Sequence, residues 1–244
     1  MLKIEEEGTG KKFAFKPTEG ERFDARPGLV KNEAATLAER EVLASKVDQA
    51  LVGDEWESMV AKTEIRTYEG AKGSAQEWLD GYDVERYGSG SSRSAQVRLG
   101  IFDALIGNLD RHGSNQMVHT SARQGQYGRL FGIDHGYSFG YTVPTADVWA
   151  MQVALDKGAL GPQYDYLRSW ALKETATNGP ALSAETQKAI AKKIKSVKWD
   201  KVLEGSNLDE GERVAFAFRR RAVVELLEKG KAFDLHKLFK TRGA

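Results

Sequence analysis

The chain has 244 residues, 41% hydrophobic, with 36 basic against 35 acidic side chains and a formal net charge of +1. That length allows one large domain or two lobes around a substantial core, and near-neutral charge gives no reason to expect a nucleic acid as partner. The absence of cysteine excludes a disulfide framework, a thiolate nucleophile and a cysteine-based zinc site, and fits a reducing compartment.

Leu2–Glu6 and Lys12–Lys16 alternate in character around a glycine-containing turn, Glu7–Lys11, which predicts a β-hairpin. Phe13 and Phe15 share one face of its second strand, and Ala14 and Lys16 the other. Pro17 ends the ladder because it has no N–H, and residues 18–30 read as a loop. Asn32 is the expected N-cap of a helix over residues 32–52, with Ala34, Ala35, Ala38, Val42, Ala50 and Leu51 at helical spacing. Val60–Tyr68 reads as a strand, and Gly73–Asp80 as a strand or a connector.

Gly81–Ser92 is rich in glycine and serine. It is the expected flexible connection between a small N-terminal lobe, residues 1–85, and a larger C-terminal lobe, residues 86–244. Ser94–Gly107 reads as a buried helix, and Gln116–Thr120 and Arg129–Ile133 as two short strands. From Thr145 the pattern turns helical. Leu182–Trp199, capped by Ser183, and Gly211–Lys229, ended by Gly230, are the clearest helices of this part.

The chemistry concentrates in Ile106-Gly-Asn-Leu-Asp110-Arg-His-Gly-Ser-Asn115 and Ile133-Asp134-His135-Gly136. A carboxylate, an amide and a second carboxylate stand here next to apolar elements, a pattern that suits metal-dependent phosphoryl transfer. Asp110 and Asn115 are five positions apart, the spacing of the Asp and Asn in the protein-kinase catalytic loop. The triplet is reversed, however, to Asp-Arg-His. Alone, the first segment is also compatible with an ordinary loop and a salt-bridged Asp.

With the reversed triplet and Ile-Asp-His-Gly, the chain resembles the phosphoinositide 3-/4-kinase-like family, which includes atypical protein kinases. The resemblance implies an α+β, bilobal protein-kinase-like fold with a small β-rich lobe carrying one helix and a larger, mainly helical lobe. It implies ATP and Mg²⁺ as cofactors. Asp110 would orient or deprotonate the acceptor hydroxyl, and Asn115 and Asp134 would hold Mg²⁺ through oxygen donors. His112 would relay a proton or stabilise charge, or else lock the loop, and Arg111 would brace it. His135 stands where related sequences often carry Phe.

The order Phe15-Lys16-Pro17, loop, Asn32-Glu33-Ala34-Ala35 matches the small lobe of the same family. On that match Lys16 would bind the ATP phosphates, with Glu33 as its positioning carboxylate and Glu39 or Glu41 as fallbacks. Gly73-Ser74-Ala75-Gln76-Glu77-Trp78-Leu79 resembles the segment leading into the nucleotide hinge. Gln76, Glu77 and Trp78 are therefore candidates for the adenine edge, although a surface strand with a packed Trp78 fits equally. Ile133 would floor the adenine pocket. One departure stands out: only one hairpin precedes Lys16, where a kinase small lobe normally covers the phosphates with a glycine-rich hairpin.

The expected activity is ATP- and Mg²⁺-dependent phosphoryl transfer to a protein hydroxyl. A phosphoinositide headgroup is the second choice of acceptor, and a catalytically weak pseudokinase the main non-enzymatic alternative. Transfer of AMP remains open, and a metal hydrolase explains neither Lys16-Pro17 nor Asn115. No run approaches the ~20 apolar residues needed to cross a bilayer, and the acidic start lacks the apolar stretch of a signal peptide. The expected setting is cytoplasmic, for this chain alone or as a domain of a larger protein. Lys192, Lys193, Lys195, Lys198 and Lys201, then Arg219–Arg221, form either a solvated face or a docking surface for an acidic partner or anionic lipid.

Overall fold

The alternation at the N-terminus builds an edge hairpin: β1 (Leu2–Glu5) pairs antiparallel with β2 (Lys12–Pro17). This is a computed structural model that describes residues 1–21, 35–84, 91–120, 129–140 and 181–235. β3 (Thr63–Tyr68) and β4 (Ala71–Glu77) form a second hairpin, and β4 pairs with β2 to give the antiparallel order β1-β2-β4-β3. Glu69 and Gly70 both have positive φ, 49° and 83°, as a two-residue turn matched to strand twist requires. Phe13 and Phe15 go inward with Ile4 and Ala75 into a small apolar cluster, each ring stabilising the fold by roughly 1.5–3 kcal/mol.

Helix α1 (Leu37–Leu51) starts later than the sequence suggests. Asn32 lies outside the described residues, and the N-cap is Thr36, whose ψ of 162° cannot belong to a helix. Thr36 and Glu39 form a reciprocal capping box, satisfying amides that the first turn leaves open. Glu21 adds a second cap from afar: its carboxylate accepts from the Leu37 and Ala38 amides, both at 2.9 Å. Leu43, Ala44, Val47 and Leu51 join α1 to the main core, and a buried Arg40–Glu212 ion pair ties it to the C-terminal helices.

The predicted strand Val60–Tyr68 begins at Thr63 instead, because Val60 forms a parallel bridge with Gly132. Within the segment expected to be a flexible connection, β5 (Tyr82–Val84) pairs with β6 (Gln116–His119). β7 (Leu130–Gly132) completes this three-stranded sheet. Residues 85–90, where the expected lobe boundary falls, are outside the described set.

Ser92 caps α2 (Arg93–Ile106), and Gly107 ends it with φ 68° and ψ 48°, a left-handed conformation that glycine adopts without strain. The helical pattern from Thr145 to residue 180 falls outside the described residues. The predicted helix over Leu182–Trp199 divides in two, α3 (Ala184–Ser196) and the short α4 (Trp199–Val202). Extended Val197 separates them, and the Trp199 indole N–H donates to Ile194 O at 2.8 Å, folding the chain back on α3. α5 (Glu210–Glu228) carries an Asp209/Glu212 capping box. The chain is thus α+β, with a small antiparallel sheet before a mainly helical part, and its main core runs through α1, α2, α3 and α5.

Candidate active site

Alternation along β2 sends Phe13 and Phe15 into the sheet cluster and leaves Lys16 on the opposite face. There Lys16 Nζ meets Glu41 Oε1 at 2.6 Å and Asp134 Oδ1 at 3.0 Å. Three residues separated by 25 and 118 positions thus come together from β2, α1 and the segment after β7. Burial alone pulls the ammonium pKa down, but the Glu41 and Asp134 charges outweigh it and the pKa is raised. The Glu41 carboxyl is pushed up by burial, opposed by Lys16 and pushed further by Asp134. One ammonium serves two carboxylates, so a bound cation would relieve their mutual repulsion.

The expected partner Glu33 lies outside the described residues, and the carboxylate on Lys16 is Glu41, one of the two fallbacks. The other, Glu39, is taken by the capping box. Ser74 stands across from Lys16 in the β2–β4 ladder and donates its hydroxyl to Glu41 Oε2 at 3.0 Å. Each Glu41 oxygen therefore has its own donor. Gly73 precedes it because β2 comes too close for a side chain: a Cβ there would lie 2.2 Å from Lys16 O.

The Asp110–Asn115 loop is held by buried polar bonds. Arg111, with no exposed side-chain surface, pairs with Asp103 of α2 at 3.1 Å. It also donates to Ile133 O at 2.8 Å, to Asn115 O, and contacts His135 Nε2 at 2.7 Å. Arg111 braces the loop, as expected. Asn108 Nδ2 donates to Asp103 Oδ1 at 3.1 Å, while its own Oδ1 accepts the Asp110 amide at 2.9 Å. The backbone carrying Asp110 is thus fixed on two sides. His112 Nε2 stands 3.9 Å from Asp110 Oδ2, beyond a direct hydrogen bond, and its Nδ1 accepts the Ser114 amide at 3.2 Å. His135 is fully buried, and burial followed by the Arg111 charge holds its pKa well below the usual imidazole range.

The pairing of β6 with β7 brings the backbone of Asn115 beside that of Ile133, the residue before Asp134. Gln116 pairs with Gly132, and the next rung is the Ile133 amide on Asn115 O at 3.0 Å. Asn115 Nδ2 donates to Asp110 O at 2.9 Å, which fixes the amide so that its side-chain oxygen could serve as an oxygen donor. Asp134 has φ 59°, a left-handed conformation that costs a non-glycine residue on the order of 1–3 kcal/mol and concentrates at functional sites. Its side chain is 44% exposed. Among the described residues no group of three or more His, Cys, Asp or Glu side chains is assembled for a metal. The Asn115 and Asp134 donor pair nonetheless suits Mg²⁺, which is commonly held by one or two protein oxygens together with substrate phosphates and water.

Residues 92–152 match the family model for phosphatidylinositol 3- and 4-kinase. The chain is phosphatidylinositol 3- and 4-kinase-like over this segment. The match takes in α2, the Asp110–Asn115 loop, β6, β7 and Asp134, while Lys16 and Glu41 precede it. Among solved structures, one similar to the chain is a Helicobacter pylori proinflammatory kinase, CtkA. It is 12% identical, with 96% of this chain and 90% of that chain covered and a TM-score of 0.47. No curated protein matches the chain.

At the expected adenine edge the backbone donors already have partners. The Glu77 amide donates to Lys62 O at 2.8 Å and the Trp78 amide to Lys12 O at 2.9 Å. Both N–H groups are consumed by the sheet, so neither offers a donor to a base. Gln76 is buried with its Nε2 3.4 Å from Thr63 Oγ1. Trp78 has Lys3 Nζ over its ring at 4.2 Å. Ile133 is half-buried, its backbone held on both sides by Asn115 and Arg111.

Sequence reasoning missed Ser74 and Asp103. Ser74 carried a weak signal: a small hydroxyl one step after Gly73 in a strand paired with the lysine strand. Asp103 carried a better one, a carboxylate inside an otherwise apolar helix, since a buried charge requires a partner.

Proposed function

We propose that the chain is an ATP- and Mg²⁺-dependent phosphotransferase whose acceptor is a protein hydroxyl. The observation that carries this reading is the convergence of Lys16, Glu41 and Asp134, at 2.6 and 3.0 Å, beside a loop that holds Asp110 and Asn115. In this reading residues 1–85 form the nucleotide-binding lobe and residues 86–244 the catalytic lobe. Lys16 binds phosphate oxygens of ATP, exchanging its Asp134 contact for them while Glu41 keeps the ammonium in place. Asn115 and Asp134 hold Mg²⁺, which when bound neutralises phosphate charge and orients the transferring group. Asp110 accepts the proton of the acceptor hydroxyl as its oxygen attacks the γ-phosphorus and the bond to the β-phosphate oxygen breaks. His112, partly exposed and 3.9 Å from Asp110, stabilises charge at the mouth of the site. Catalysis of this kind rests on positioning and electrostatics, which suits the braced loop.

The test is incubation with γ-labelled ATP, Mg²⁺, protein acceptors and phosphoinositide vesicles. Transfer to protein is expected, with Lys16→Met, Asp110→Ala and Asp134→Ala each slowing it ~100-fold or more. Transfer to lipid alone would assign the chain to the lipid kinases. Nucleotide binding without turnover, unchanged by Asp110→Ala, would make it a pseudokinase. A product heavier by AMP would make it a nucleotidyl transferase.

A further inference from the structure

Helix α5 is apolar on two sides. One stripe, Ala215, Phe216, Ala222, Val223 and Leu227, is buried. A second, Val214, Ala217 and Phe218, with the buried Val224 beneath, lines an open groove of about 990 Å³ whose far wall is the α3–α4 turn, with Trp199 in its lining. A surface helix normally presents one apolar stripe to the core and polar residues to water, so a second stripe along a groove marks a surface for another molecule.

The rim of this groove is cationic. Lys195, Lys198, Lys201, Arg220 and Arg221 line it, against the carboxylates of Asp200 and Glu225. Arg220 lies 5.8 Å from the Trp199 ring centroid and Arg221 5.1 Å from that of Phe218, which sets the guanidinium groups against the apolar lining. Lys195 pairs with Glu228 at 2.8 Å, and Arg221 with Glu225 at 3.9 Å. Both are exposed pairs of small energy that a partner's carboxylates can replace.

We propose that this groove docks an acidic, apolar-striped helix of a partner protein. Its concave shape and charge select that occupant. A membrane-binding face presents its aromatic side chains outward, whereas Trp199 is 5% exposed and sits in the lining. A second copy laid groove to groove sets cation against cation. From Val214 to Glu225, α5 offers a bed of ~17 Å at 1.5 Å per residue, enough for three turns of a helix anchored by residues at i, i+3, i+4 and i+7.

The test uses the full chain and fluorescence anisotropy. The probes are labelled synthetic helices of about 18 residues with a net charge of about −6 and either a leucine or a phenylalanine stripe. Versions with lysine in place of glutamate are the controls. At least one acidic helix binds saturably and more weakly as salt rises, and the lysine versions do not. Lys198→Glu/Arg221→Glu and, separately, Ala217→Glu each weaken binding about tenfold or more, with circular dichroism confirming that the variants fold. Lys72→Glu, on the distant β4, leaves it unchanged. The proposal is overturned by no saturable binding of either acidic helix, by equal binding of the lysine versions, or by full retention in both groove variants. Binding only to phosphatidylserine vesicles assigns the face to a lipid surface, and dimerisation abolished by Ala217→Glu assigns it to self-association; either result also overturns it.

Discussion

Arg111→Met is the most informative single perturbation of the loop. Arg111 and Asp103 have no exposed side-chain surface, and the guanidinium also serves Asn115 O, Ile133 O and His135 Nε2. Removing it takes the Arg111 charge away from the buried Asp103 carboxylate, a loss that costs about 3–5 kcal/mol in buried ion pairs. Loss of the donor for Ile133 O adds about 1 kcal/mol. Against a total stability of roughly 5–15 kcal/mol, this is a large fraction. Urea melts at neutral pH are expected to show a lower midpoint with an unchanged slope, the sign of lost stability without a change in two-state behaviour. Adding Asp103→Asn to Arg111→Met removes the stranded charge and keeps an acceptor for Asn108. The double variant is therefore expected to recover about 1 kcal/mol or more of the loss. A cost under about 1 kcal/mol for Arg111→Met, or a double variant less stable than the single one, refutes the account of Arg111 as counter-ion of a buried carboxylate.

Ser74→Ala removes one of the two donors on the Glu41 carboxylate, so it should lower stability by about 1–3 kcal/mol in urea melts and raise the KM for ATP more than it lowers kcat. Gly73→Ala forces a Cβ to 2.2 Å from Lys16 O, and thermal melts should register a loss of about 1–3 kcal/mol or more as β2 and β4 separate. Glu21→Ala uncaps α1 and should cost about 1 kcal/mol by the same measurement. Burial, partly offset by the Leu37 and Ala38 amides, raises the Glu21 carboxyl pKa. The folded chain therefore holds that proton to higher pH than the unfolded chain does. The stability of wild type relative to Glu21→Gln should accordingly be greatest below the unfolded carboxyl value of about 4.5 and fall as pH rises through the raised one. A difference independent of pH between 4 and 7 contradicts this.

Local signals in the sequence carried the elements with strong periodicity and capping. Gly107 ends α2 and Ser183 starts α3, because cap and helix are neighbours in the chain, while α2 begins at Arg93 after the Ser92 cap, one residue before the expected Ser94. Signals failed where a distant partner decides. Val60 reads as a strand residue, yet Gly132 takes it. Asn32 reads as a cap, yet Thr36 and the remote Glu21 start the helix. The site divides in the same way. Asn115 and Asp134 flank the β6–β7 pairing, and Asn115 holds Asp110 O, so the nearness of the three segments follows from local pairing. Glu41 was one choice among three carboxylates, since only the tilt of α1 against β2 decides which meets Lys16.

The loop side is fixed by buried hydrogen bonds among Asp103, Arg111, Asn108 and Asn115, each costly to break because its groups have no access to water. The lysine side is held by Ser74 and by ion pairs that reach solvent at Asp134, whose side chain is 44% exposed. An anion entering beside Asp134 would compete for the solvent-facing side of an ammonium that Glu41 holds at 2.6 Å from its buried side. If Lys16 exchanges Asp134 for an incoming phosphate, as proposed, the carboxylate would be released for a cation, so anion and cation should bind with positive coupling. ATP affinity measured by calorimetry should rise with Mg²⁺ in the wild type, and Asp134→Asn should flatten that dependence. An undiminished Mg²⁺ dependence in Asp134→Asn would show that the cation sits elsewhere.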